Sequence, residues 1–178
     1  MSKVRLVFAQ GTNREFGNGD GLPWGHCKSD FKSFREDTMD SICLMGSKTW
    51  ESLPTTLVGR VNAVMSRNPV WNKKDECPDF RMKGDLASAI YELKMNYPDK
   101  DINIIGGLSM LEEGLDFADE IYMSMVLPSS QRFPATRYMS IDFYLKMKSM
   151  FPISECIANE IYDVSQPILG WSKFKLTK

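Results

Sequence analysis

The chain has 178 residues, 43% hydrophobic and 25% charged, a globular balance that argues against disorder and fibrous repeats. Its 22 basic and 23 acidic residues leave a net charge of -1, so no global field favours nucleic acid or an anionic membrane, and any anion needs a local site. Four cysteines without a C-x-x-C pair and a single histidine, His26, give no metal-site pattern and fit reduced thiols in the cytoplasm.

Residues 1–10 alternate charged and apolar positions, so neither a leader nor a membrane span is expected there. Residues 4–9 are an apolar, β-branched run broken only by Arg5, which reads as a buried, central strand. Residues 10–25 carry Gly11, Gly17, Gly19, Gly21, Pro23 and Gly25. That density predicts a long loop without regular structure, a length that in a small domain usually serves function. Phe31 and Phe34, three residues apart among charges, predict an amphipathic helix over 28–37 with Asp30 beside its apolar stripe.

A strand over 41–45 runs into Gly46, Ser47, Lys48 and Thr49, which open a short helix closed by Pro54. Strands over 61–65 and 80–82 follow a similar logic, with a loop-like stretch over 68–79 between them. A helix over 85–97 buries Leu86, Ala89, Ile90 and Leu93. A strand over 102–105, Gly106, Gly107 and a helix over 110–115 repeat the unit, and a strand over 120–126 follows. A short helix near 141–147 and strands near 153–158 and 173–176 predict a terminal antiparallel hairpin on the sheet edge. The alternation defines an α/β fold, expected as one domain over 1–178: a mixed, mostly parallel central sheet of about eight strands with flanking helices.

At Gly46 and at Gly106–Gly107 a strand delivers the chain to glycine and a helix starts at once. Glycine admits an anion close to the backbone, the helix start adds partial positive charge, and Lys48 and Thr49 add donors. Two such turns fit a pyrophosphate, although each alone is also ordinary turn geometry. There is no P-loop and no G-x-G-x-x-G fingerprint. Ser66 and Arg67, directly after a strand, suit the 2′-phosphate of NADP, or are simply a polar strand end. Asp30 lies between Cys27 and the two phenylalanines; facing a cleft it would be desolvated and of raised pKa, but from local sequence alone an exposed charge at a helix start is the preferred reading. Arg60 suits a carboxylate clamp or a surface turn. His26, a lone loop histidine, reads as a solvated or packing residue more than as a general base, and the twelve methionines read as adaptable core filler.

Taken together, L-P-W at 22–24, aspartate six residues beyond Trp24, M-G-S-K-T-W-E-S-L-P at 45–54, G-R-x-N at 59–62 and I-G-G at 105–107 resemble dihydrofolate reductase, in particular its short, phage-type members, over residues 4–126. The resemblance implies an NADPH-dependent reduction of 7,8-dihydrofolate to tetrahydrofolate that supports one-carbon metabolism and nucleotide synthesis. It makes Asp30 the catalytic carboxylate, holding the pterin and assisting protonation, with Ser124 and Trp24 as supports and Leu22 covering the nicotinamide from a mobile loop. It assigns Ala9, Phe31, Phe34, Leu53, Leu57, Arg60 and Ile105 to the substrate. It assigns Ala9, Gly17, Gly46, Ser47, Lys48, Thr49, Ser66, Arg67, Gly106, Gly107, Leu108 and Ser109 to the cofactor. Dihydrofolate and antifolates are the implied ligands, with no nucleic acid or membrane partner, no metal, and a cytoplasmic monomer, in host cytoplasm if phage-encoded.

Two positions depart from the family pattern. Leu111 stands where many members have a tyrosine near the reaction centre, and 129–134 lacks the aspartate and threonine of G-D-T-x-F-P, so the bacterial style of latching the lid loop is not expected. Two other readings are open: the related NADPH-dependent reductase of riboflavin biosynthesis, and a folate-binding structural protein with secondary catalysis. The L-P-W segment, Asp30 and Arg60 favour folate.

Overall fold

The structure, a computed structural model, describes residues 2–67 and 76–178; most of the loop-like stretch predicted over 68–79 lies outside them. In chain order the elements are β1 (Val4–Gly11), β2 (Glu15–Gly17), α1 (Lys28–Thr38), β3 (Ile42–Gly46), α2 (Ser47–Ser52), β4 (Val61–Met65), β5 (Phe80–Met82) and α3 (Leu86–Asn96). There follow β6 (Ile102–Gly106), α4 (Leu108–Gly114), β7 (Glu120–Pro128), β8 (Arg137–Tyr138), α5 (Ile141–Met150), β9 (Ile153–Ile161) and β10 (Ile168–Thr177). Eight strands make one sheet in the order β5-β4-β3-β6-β1-β7-β10-β9, and β2 and β8 make a second, two-stranded one. The pairs β1/β6, β3/β6, β3/β4 and β4/β5 are parallel, whereas β10 is antiparallel to both β7 and β9. The mostly parallel α/β sheet and its terminal hairpin are therefore as expected.

One expectation is overturned. Residues 10–25 are not wholly irregular: β1 runs on to Gly11, and β2 pairs with β8 through Glu15 and Gly17. The partner strand is two residues long and far off in sequence, too short and too distant for a hydrophobic period to reveal it.

The chain divides into two compact units, one running through Val7 and from Thr38 to Asp119, the other comprising Phe8–Asp37 and Glu120–Lys178. The first is built on Leu6, Ile42, Leu44, Leu86, Leu93, Ile102, Ile104, Leu111 and Leu115, all fully buried. Each such side chain contributes about 1.5–3 kcal/mol on burial. Gly114 ends α4 where a Cβ would stand 2.9 Å from methyl groups of both Leu6 and Ile104, so the absence of a side chain lets the helix end rest on the strands. Asp85 caps α3 by accepting the Ser88 N–H at 2.7 Å, which frees that helix start from any need for a ligand.

In the second unit β7, β9 and β10 form an antiparallel set. A buried cluster of Trp24, Cys27, Val126, Phe133, Ile168 and Trp171 packs with Ala9 and Tyr162. The α1 helix lies with its Asp30 and Asp37 toward groups of β7 and β10.

Candidate active site

Asp30 stands in the first turn of α1 and is only 7% exposed. Burial pushes its carboxyl above the usual carboxylate range; a hydrogen bond with Ser124 and the nearby Trp171 indole oppose that, and the charge of Asp37 adds to it. Ser124 lies on β7 directly opposite Lys173 of β10, and Trp171 lies two residues before Lys173. Strand periodicity thus turns Trp171 and Lys173 to one face. The Trp171 N–H has no partner in full hydrogen-bond geometry among the described residues, and neither has that of Trp24. It therefore acts on Asp30 as a nearby dipole. Two buried indole donors without partners are costly unless a ligand or water accepts from them.

Around this carboxylate, Trp24 meets Phe133 edge to face with ring centroids 5.9 Å apart. Phe31 is 45% exposed and stacks on His26 at 5.0 Å; Phe34 is half-buried and Leu22 exposed. The Leu22 segment follows β2, whose Gly17 carbonyl accepts the Thr136 N–H at 2.8 Å. Arg137 donates to the Gly19 carbonyl at 2.5 Å.

The first unit holds the glycine turns. A Cβ on Gly46 would lie 3.7 Å from the Gly107 nitrogen, and one on Gly107 would lie 3.7 Å from the Thr49 hydroxyl. The two turns are thus adjacent, as a shared anion requires. Gly46 and Gly107 are the N-caps of α2 and α4 and neither supplies a side-chain cap, in contrast to Asp85 on α3 and Ser140 on α5. Gly106 has φ +133° and is joined to Gly107 by a cis peptide bond. A side chain would be strained at that φ. Ser47, Thr49 and Leu108 are half-buried while Lys48 and Ser109 are exposed. Half-buried Ser66 and exposed Arg67 follow β4.

Arg60 donates to the Thr38 hydroxyl at 3.3 Å, beside half-buried Leu57. Leu53 is also half-buried; Ile105 is buried on β6. Leu111 is fully buried, so the residue in the family's tyrosine position is core.

The second unit therefore gathers Asp30, Ser124, Trp24 and Ala9, and the first gathers the two glycine turns with Ser47, Thr49 and Leu108. Trp171, Asp37 and Lys173 were not among the candidates read from the sequence. The period-2 pairing of Trp171 with Lys173 was the available signal, but a strand predicted from 173 onward leaves Trp171 outside it. Among the described residues no cluster of histidine, cysteine, aspartate and glutamate can hold a metal ion, and no helix is long and apolar enough to cross a membrane.

A mostly parallel sheet with a desolvated carboxylate in one unit and paired glycine turns in the other makes this an α/β protein with the elements of an enzyme site. Comparison with known proteins gives the particular family. The sequence pattern of the dihydrofolate reductase family matches residues 3–144, and the chain belongs to that family. It is 31% identical over 163 residues to a dihydrofolate reductase type A10 of Escherichia coli, covering 86% of this chain and 81% of the relative. It is 44% identical over 129 residues to the dihydrofolate reductase of Neisseria meningitidis serogroup A, covering 71% of this chain and 74% of the relative. The fold is similar to that of the Enterococcus faecalis dihydrofolate reductase solved in complex with NADP(H) and RAB-propyl, with a TM-score of 0.72, 19% identity and coverage of 98% of this chain and 95% of that one.

Proposed function

We propose that the chain reduces 7,8-dihydrofolate to 5,6,7,8-tetrahydrofolate with NADPH, with Asp30 as the carboxylate that holds the pterin and manages its proton. The observation that carries the assignment is Asp30 itself: buried in the first turn of α1, raised in proton affinity by that burial, and beside Ser124. A carboxylate in a water-poor site accepts two hydrogen bonds from an amidine-like ring edge more strongly than in bulk water. Its raised proton affinity brings it nearer to neutral pH, where a group that relays a proton works best. The unpartnered indole N–H groups of Trp24 and Trp171 suit an ordered water or a polar ring edge. The family resemblance assigns Phe31, Phe34 and Ala9 in the second unit and Leu53, Leu57 and Ile105 in the first to the substrate's rings, apolar residues being usual around such a ligand, and Arg60 to its glutamate tail.

The residues of the first unit fit NADPH. Gly46 and Gly107 are uncapped and adjacent, a cradle that side chains would narrow, and Ser47, Lys48, Thr49, Leu108 and Ser109 surround it, with Ser66 and Arg67 toward a 2′-phosphate. NADPH supplies the hydride, so no side-chain base is needed for the reduction. Gly17 and Leu22 belong to a lid that excludes water from the reacting carbon. The enzyme acts as a monomer in the cytoplasm, where its free thiols stay reduced.

The test is loss of NADPH absorbance with dihydrofolate, for the native chain and for Asp30→Asn. The native chain is expected to turn over and to be inhibited by an antifolate, and Asp30→Asn to bind NADPH while losing most turnover near neutral pH. Absence of oxidation by the native chain at any pH would overturn the reading.

A further inference from the structure

We propose that the ion pair between Asp37 and Lys173 is a positioning device for Asp30, fixing α1 on β10 and balancing the charge that faces the catalytic carboxylate along the helix. The inference rests on the assignment of Asp30 above.

Asp37 follows Asp30 by seven residues on α1, two turns of helix, so both lie on one face about 10 Å apart. That face meets one face of the sheet at two polar points. At the first, Asp30 is served by Ser124 and Trp171. At the second, Lys173 closes a short ion pair with Asp37, the two side chains being 11% and 13% exposed. Lys173 is the cross-strand partner of Ser124 and lies two residues from Trp171. The residues that hold the pair are thus strand neighbours of those that touch Asp30.

A nearly buried ion pair is a poor source of net stability, because desolvation of both charges offsets their attraction; its best-attested use is to fix register. Here it sets the position of α1 along β10 at the end of the helix far from Asp30. The pair also controls sign. Asp37 faces Asp30 as a like charge, and Lys173 neutralises it. Among the described residues, other titratable groups at the two sites include Cys27 beside Asp30, with Tyr162 next to it, Glu36 beside Asp37, and Tyr122, whose ring lies 5.1 Å from the Lys173 ammonium and 5.6 Å from that of Lys175. Lys175 has its own partner in Glu120 at 3.4 Å.

The experiment is the pH dependence of the hydride step, read by single-turnover NADPH oxidation with dihydrofolate, in Asp37→Asn, Lys173→Met and the double variant, with melting temperatures in parallel. Asp37→Asn leaves Lys173 uncompensated and should lower the pH midpoint by ~0.5 unit or more. The double variant, with neither charge, should return the midpoint toward the native value while the rate stays several-fold low through loss of register. Lys173→Met should show no downward shift. Should Lys173→Met fail to fold, Lys173→Arg, which keeps the charge, is expected to hold the native midpoint. An unmoved midpoint in Asp37→Asn, or a double variant that fails to restore it, overturns the proposal even if melting temperatures fall, since a merely structural pair changes stability without moving the midpoint. Asp30→Asn assayed alongside separates the two readings: turnover retained there refutes the role of Asp30, whereas its loss with unmoved midpoints refutes only the role of the pair.

Discussion

Thr136 accepts the Gly19 N–H on its hydroxyl at 2.9 Å. It also donates its own N–H to the Gly17 carbonyl at 2.8 Å, so one residue spans the end of β2 and the segment that follows. The G-D-T-x-F-P pattern is missing from 129–134, and the tie that exists starts two residues beyond Pro134, in Thr136 and Arg137. Replacing the hydroxyl removes the bond from the Gly19 N–H and the longer one it donates to the Gly17 carbonyl at 3.4 Å, each worth about 0.5–1.5 kcal/mol. Thr136→Val is therefore expected to leave the fold intact and to change steady-state turnover several-fold, with little effect on the pH midpoint of the hydride step. Steady-state and single-turnover rates measured side by side check it, and an equal change in both would place the effect in chemistry.

Gly46→Ala tests the cofactor cradle. The added methyl would meet the Gly107 nitrogen and the Met110 side chain at 3.7 Å, ordinary van der Waals distance, and Gly46 has φ -77°, which any residue adopts. The fold should tolerate it, with a melting temperature within ~2 °C of native. The space beside the uncapped helix starts is filled, however, so NADPH binding should weaken ~10-fold or more while turnover at saturating cofactor changes less. Titration of NADPH fluorescence decides it; native affinity would remove Gly46 from the cofactor site.

Much of this arrangement was legible in the chain because its signals are local. Val61–Met65 is apolar but for Asn62 and Phe80–Met82 alternates apolar with charged, both bounded by turn residues, and Gly46 and Gly107 each stand between a strand and a helix. What was not legible depends on partners distant in sequence. The strand at Glu15–Gly17 exists through two residues more than a hundred positions away, and Trp171 reaches Asp30 only because β10 lies beside β7. Asp37 is indistinguishable from any surface aspartate until Lys173 is brought to it. Local sequence favours an exposed charge at a helix start for Asp30; its burial is likewise a property of the sheet packed against its helix.

The thiols should divide evenly. Cys27 and Cys43 are buried, Cys77 and Cys156 exposed, and all four are free. Burial pushes the Cys43 thiol up to about 12, outweighing the neighbouring Arg60 charge, and burial raises Cys27 as well. Because the thiolate is the reactive species, the native protein should titrate two thiols rapidly with an aromatic disulfide reagent and four after denaturation. Rapid modification of a third would show that one buried site opens.

In its proposed role Asp30 would set stability against catalysis in a way that pH exposes. Its folded-state pKa is raised, burial being the largest cause, so the folded state binds this proton more tightly than the unfolded chain does. The resulting stabilisation is fully present below the ordinary carboxylate range and is lost as pH rises through the raised value. Asp30→Asn carries no charge to desolvate and should escape that loss. At pH 7 the variant is expected to melt higher than the native protein, by ~2–4 °C for each 1 kcal/mol in a chain of this size, and the gap should close as pH falls toward the ordinary carboxylate range. Melting curves across pH, paired with turnover assays, test this directly. A variant that is inactive yet more stable at neutral pH marks Asp30 as a carboxylate kept at a buried site for its chemistry, whereas a variant less stable at every pH would mean that its bonds to Ser124 and its surroundings outweigh the cost of burying the charge.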